Sequence, residues 1–280
     1  MGGTQAMGGA IIRTGGIIYL FGGAMVRGGT PGTGGTVLAT GGVMTYGGMP
    51  STGGVASVGG AIIGTGGGIA TGGTCALIDT SVEEIIDDMN DANRFIPSIQ
   101  GRSGAWSSSH DGSPGVMMLP DPAEGFEMSN TGDTCHQYAV FVKGSGAVLG
   151  GSSVRFGLGS PYNASHYEGI SFWAKSDSGT NQVVHVTFPD KDTIPDGGLC
   201  QPSVSSGPTA CWDHFGYRVT LTSTWTKYII RWSQLAQDGW AKKDGFDVTS
   251  IYQVIFQISV GANYAFWVDD VAFRLLPILH

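Results

Sequence analysis

The side chains able to do chemistry are few and widely spread. Among six histidines, Asp213-His214 is a tight acid–histidine neighbour pair. Adjacent residues on a strand face opposite ways, so this pair makes no catalytic dyad. The nucleophile elbow G-x-S-x-G is absent, as is the zinc motif H-E-x-x-H. GTGGGIATGG (64–73) is glycine-rich like a phosphate loop, but the Walker lysine and a following βαβ unit are missing. Nucleophilic or paired-carboxylate catalysis lacks its residues, and the chain reads as a non-enzyme.

The four cysteines are Cys75, Cys135, Cys200 and Cys211. No C-x-x-C pair or histidine set gives zinc spacing. An even count in a Gly/Ser/Thr-rich chain points to two disulfides and an oxidising, extracellular setting. Cys200–Cys211 closes a short loop and is the first pairing expected; Cys75–Cys135 follows by elimination, with reduced thiols as the alternative.

Binding is the other chemistry to weigh. A sugar needs aromatic rings for its faces and polar groups for its hydroxyls. In QVVHVTF (182–188), Val184, Val186 and Phe188 share one face, leaving His185 and Thr187 on the other. In VIFQISV (254–260), Gln257 and Ser259 oppose Val254, Phe256 and Ile258. Trp173 and Lys175 alternate with Phe172 and Ala174. The expectation is a polar stripe of Lys175, His185 and Gln257 on one concave sheet, edged by Trp173. Trp106 and Trp212, beside glycines and polar residues, are expected to be exposed and to serve a sugar or a protein partner. Any sandwich with one wetted face shows the same alternation. Asn163 opens an N-x-S glycosylation sequon, a weak signal. Asp190, Asp192 and Asp196 fit ordinary turn chemistry better than a metal motif.

The elements that would position these residues are strands. YAVFVKG (138–144), VRFGLG (154–159), GISFWAKS (169–176), QVVHVTFPD (182–190), YRVTLT (217–222), TKYIIRWS (226–233), IYQVIFQISV (251–260) and AFWVDDVAF (265–273) are rich in β-branched and aromatic residues. Gly/Asp/Pro/Ser turns separate them. About eight such strands suggest an all-β jelly-roll sandwich. SQLAQDGW (233–240) is the one helix-like piece.

The order LIDT…IIDDMND, GRSGAW, YAVFVKG, YEGISFWAKS, P-D-G-G-x-C…C-W-D-H-F-G, WTKYIIRWSQLAQDGW and FWVDDVAF resembles galactose-binding-like, carbohydrate-binding-module-type domains of secreted bacterial proteins over residues 76–275. More loosely, the chain resembles protomers of extracellular helical fibrils built from jelly rolls. The resemblance implies a structural calcium shared by the first and last strands, with Asp87, Asp88 and Asp270 as its carboxylates. Asp270 is preferred over Asp269, since neighbours on a strand point to opposite faces.

Residues 1–74 differ in kind. Gly-Gly pairs recur every six or seven residues, and Arg13 and Arg27 are the only charged side chains before Asp79. A short fixed period marks a repeat. A flexible linker would not need the apolar residues Ile11, Ile12, Ile17, Ile18, Tyr19, Leu20 and Phe21. The expectation is a glycine-rich stem of short strands or extended segments that polymerises with copies of itself, followed by the sandwich over 75–280. The first functional reading is therefore a structural subunit of an extracellular filament, its partner being itself. The alternative is a secreted polysaccharide-binding module on a flexible linker. A net charge of −8 without a basic stripe argues against nucleic acid, and no run of eighteen apolar residues is long enough to span a bilayer.

Overall fold

A computed structural model of the chain describes Cys75 and residues 78–179, 181–241, 243, 245–261 and 263–277. The expected assembly residues Ile11 to Phe21 lie outside the described residues, as does the Gly-Gly repeat. The rest is built almost wholly of strands. The first half of the fold contributes β1 (Glu83–Asp87), β2 (Phe95–Ile96), β3 (Gly104–His110), β4 (Met117–Leu119), β5 (Ser129–Asn130) and β6 (Tyr138–Ser145). The second half contributes β7 (Ser152–Tyr162), β8 (Tyr167–Ser176), β9 (Gln182–Phe188) and β10 (Phe215–Leu221). It ends with β11 (Thr226–Arg231), β12 (Ile251–Ile258) and β13 (Tyr264–Leu275). All eight expected strands are present. The expected helix over 233–240 is replaced by a single 3-10 turn, Trp232–Gln234, after which the chain extends so that Ala236 bridges Gly216.

Two antiparallel sheets face each other as a jelly-roll sandwich. One runs β11-β8-β13-β6-β4, with β1 beside β13 and β5 beside β6; the other runs β10-β9-β12-β7-β3-β2. Alternate residues of the long strands point inward and meet in one core. Val184, Val186, Phe188, Val254 and Phe256 from one sheet pack with Ile170, Phe172, Phe266, Val268 and Phe273 from the other. Both disulfides form as expected, Cys75–Cys135 and Cys200–Cys211.

Trp106 does not sit at the surface as expected; it is fully buried in the core. β3 carries it inward beside Phe156 and Phe256, and its Nε1 donates to Asp87 Oδ2 at 2.8 Å. That bond runs from one sheet to the other, since β1 belongs to the first and β3 to the second. Asp87 Oδ1 accepts the backbone N–H of Met89. Burial nevertheless pushes the Asp87 carboxyl up to about 6, against the pull of these two bonds.

Two outcomes follow for stability. Trp106→Ala leaves a large void and a buried acceptor without its donor, and is expected to cost about 3–5 kcal/mol in urea denaturation. The folded-state pKa of Asp87 lies above the ordinary value of 3.8, so its contribution is complete at low pH and fades as pH rises through about 6. Asp87→Asn is expected to flatten the urea midpoint across that window.

Candidate functional site

The outer face of the six-stranded sheet carries a continuous polar row. Cross-strand pairing places Ser109 opposite Ser153, Ser153 opposite Gln257, Gln257 opposite His185 and His185 opposite Arg218. A second row, one step away on the same face, joins Ser107, Arg155, Ile255, Thr187 and Gly216. Gln253 and Gly157 pair beyond it. The first row crosses four inter-strand steps, about 19 Å at the usual strand spacing. The Gln257 amide is held by a bond from its Nε2 to the carbonyl of Gly150 at 3.2 Å.

A folded loop links β9 to β10 at one end of this face. Asp190 is fully buried and accepts from Thr193 Oγ1, Asp192 N and Asp247 N, the turn role expected for it. The Cys200–Cys211 disulfide closes the loop, and Trp212 returns by donating its N–H to Thr193 O at 2.8 Å. Trp212 is half-buried and takes a left-handed φ of 79°, with its ring edge-on to His214 at 6.1 Å. His214 bonds Thr193 Oγ1 through Nδ1. Asp213 turns away to accept the backbone N–H groups of Asp238, Gly239 and Ala241.

His185 and His214 are both neutral at physiological pH. Burial depresses His214 to about 3, and Arg155 pushes the same way. Burial likewise lowers His185 to about 4, helped by Arg218. His185 Nε2 and Thr187 Oγ1 are buried without a hydrogen-bond partner in the described structure. Both lie against Gly216, where any Cβ would collide with the His185 ring, the Thr187 methyl and the Val186 carbonyl. This face thus carries amides, hydroxyls and a guanidinium beside uncharged imidazoles. Such groups can donate to and accept from neutral hydroxyls.

The expected stripe is split between the two sheets. His185 and Gln257 are direct cross-strand neighbours, but Trp173 and Lys175 belong to β8 in the other sheet. There Lys175 Nζ lies 4.9 Å from the ring centre of Trp225 and 5.5 Å from that of Trp267. Phe141 packs on Trp267, and His136 stacks on Trp225 at 4.2 Å and leans on Trp173. These rings are engaged with one another and with Lys175. Arg155, Ser107, Ser109 and Ser153 were not anticipated; β3 is serine-rich and carries little strand signal. Asn163 is exposed, and its Oδ1 accepts the N–H of Ser165 in a turn.

The aspartates implied for calcium make separate hydrogen bonds. Asp87 serves Trp106, and the carboxylate of Asp88 accepts the N–H of Asn90. Asp270 meets Asp269 and His136 instead. The two aspartates converge because Asp270 has a left-handed φ of 47°, at a break in the β13–β8 register that suspends strand alternation. Burial and the neighbouring Asp269 carboxylate push Asp270 up to about 7. Burial also raises Asp269, although its Oδ2 lies 2.8 Å from His136 Nδ1.

The sandwich is similar to carbohydrate-binding modules. A family 11 module of the cellulosomal cellulase Lic26A-Cel5E of Clostridium thermocellum aligns at 17% identity over 71% of this chain and 97% of its own, with a TM-score of 0.47. The family 11 module from Clostridium thermocellum in complex with a β-1,3-1,4-mixed-linked tetrasaccharide aligns at 17% identity over 69% and 95%, TM-score 0.45. The CBM22-1 xylan-binding domain of Paenibacillus barcinonensis Xyn10C aligns at 14% identity over 70% and 97%, TM-score 0.36. No protein-family model and no curated protein matches the chain. These likenesses concern shape; the chemistry of each face is read from this chain's own residues.

Gly216→Val tests the packing around His185. The added carbons are expected to displace the His185 ring and cost about 1–3 kcal/mol in thermal or urea unfolding.

Proposed function

We propose that the sandwich is a polysaccharide-binding module, with the glycan lying along the outer face of the six-stranded sheet. The observation that carries this reading is the unbroken polar row Ser109–Ser153–Gln257–His185–Arg218, with Arg155 in the neighbouring row. Its length of about 19 Å suits an oligosaccharide of about four pyranose rings. Planar amides and a guanidinium give directional bonds to hydroxyls. The aromatic cluster on the opposite sheet is the poorer candidate, because Lys175 and His136 already lie against its rings.

The two disulfides support an exported protein in an oxidising compartment. Among the described residues no helix is long and apolar enough to cross a membrane. Filament assembly through residues 1–74 draws on residues outside those described, so the binding reading rests on the sandwich alone.

Native affinity electrophoresis in gels containing mixed-linkage β-glucan or xylan tests the proposal, with calorimetry for any polysaccharide that retards the protein. Arg155→Ala combined with Gln257→Ala is expected to weaken binding at least tenfold, about 1.4 kcal/mol or more, while Trp267→Ala leaves it within twofold. Because His185 and His214 stay neutral, affinity is expected to be level from pH 5.5 to 8. Loss of binding in Trp267→Ala, with the double variant unaffected, would move the site to the other sheet. No retardation by any tested polysaccharide would sink the reading.

A further inference from the structure

The family resemblance implies calcium, a hard ion that prefers oxygen donors. Calcium takes six to eight oxygen ligands. The group that comes together is instead His136 Nδ1 with one carboxylate oxygen each from Asp269 and Asp270, all within 4.8 Å of one another. A nitrogen with two carboxylates is the donor set of borderline divalent ions. We propose that His136, Asp269 and Asp270 form a site for a transition-metal ion of the zinc type, which clips the Cys135 loop to β13.

The geometry is close to what such an ion needs. His136 Nδ1 stands 2.8 Å from Asp269 Oδ2 and 3.7 Å from Asp270 Oδ2. These separations bracket the edge of about 3.3 Å between ligands of a tetrahedron with zinc–ligand bonds of about 2 Å. Small side-chain rotations would open the hydrogen-bonded pair around an ion. The imidazole is already aimed, because Trp225 and Trp173 pack against its ring. Its backbone is held from both sides: its N–H donates to Asp133 Oδ1, and its carbonyl accepts from Thr131 Oγ1. Supports of this kind around a ligand raise metal affinity.

Burial adds a second, independent argument. The side chains of His136 and Asp269 are 9% and 2% exposed, so few waters screen the two adjacent carboxylates. His136 when protonated and Lys227 set positive charge against Asp270, while Asp88 adds negative charge beside both aspartates. A divalent cation would neutralise this concentration of charge, and a fourth position would remain for water.

The test uses the full oxidised chain, stripped with EDTA and dialysed. Zinc is expected to bind with one equivalent by calorimetry and to raise the melting temperature by about 5–10 °C when in large excess over its Kd. Calcium at millimolar concentration is expected to leave the melting curve in place. Cobalt substituted for zinc should give visible d–d absorption that zinc displaces. His136→Gln is expected to lose more zinc affinity than the roughly 10–100-fold typical of changes behind the ligands, with far-UV circular dichroism unchanged. Asp270→Asn, at a more accessible position, serves as the second variant and should also lose the cobalt bands. Absence of a stoichiometric zinc equivalent, a calcium response matching that of zinc, or full zinc affinity in folded His136→Gln would each overturn the proposal.

Discussion

One hydrogen bond between the layers, from the Trp106 indole to the Asp87 carboxylate, organises much of what surrounds it. The indole fills the core against Phe156 and Phe256, while its N–H holds the last residue of β1. β1 is thereby tied to the opposite sheet as well as to its neighbour β13. Glu83 at the other end of β1 is buried, pairing with Lys227 and Arg274 and accepting from Ser171. A short strand of five residues is fixed at both ends, and the turn that follows it brings Asp88 near Asp269 and Asp270. A buried acid whose charge is costly persists here because its geometry does this work.

Both outer faces are consequences of the same closure. Once inward positions are given to the core, every second residue of each sheet is left to meet solvent or a ligand. The six-stranded sheet uses those positions for hydroxyls, amides and a guanidinium in register. The seven-stranded sheet uses them for Trp173, Trp267 and Phe141, closed over by Trp225, His136 and Lys175. The first arrangement keeps directional polar groups across five strands; the second packs ring on ring and leaves the indole N–H groups of Trp173, Trp225 and Trp267 buried without a hydrogen-bond partner in the described structure. This contrast, more than overall shape, is what favours the six-stranded face in the proposed reading.

Much of the fold was legible in the chain. β-branched and aromatic runs marked the long strands, and cysteine spacing marked the disulfide pairs, because both are local or nearly local properties. Sheet membership is neither. Alternation correctly put His185 and Gln257 on an outer face, yet it could not tell that Trp173 and Lys175 belong to the other sheet. Trp106 was misjudged because the polar residues around it suggested a loop, whereas β3 pairs with β7 and draws it inward. The convergence of Asp269 and Asp270 was hidden by assuming ideal strand geometry, which the left-handed Asp270 breaks. His136 sits in an irregular loop and had no pattern to announce it; its position beside Cys135 was the available clue.

The Cys75–Cys135 disulfide has a mechanical meaning. Cys75 precedes β1, while Cys135 sits just before β6, a strand in the interior of the seven-stranded sheet. Tension applied to the chain ahead of Cys75 would pass through the sulfur–sulfur bond to the loop at β6, bypassing the five-residue β1. Instead of peeling a short strand rung by rung, the load would be shared by a ladder bonded on both sides. A reducing environment would remove that route and return the load to β1. In the oxidised sandwich a load entering at Cys75 would therefore reach β6 directly.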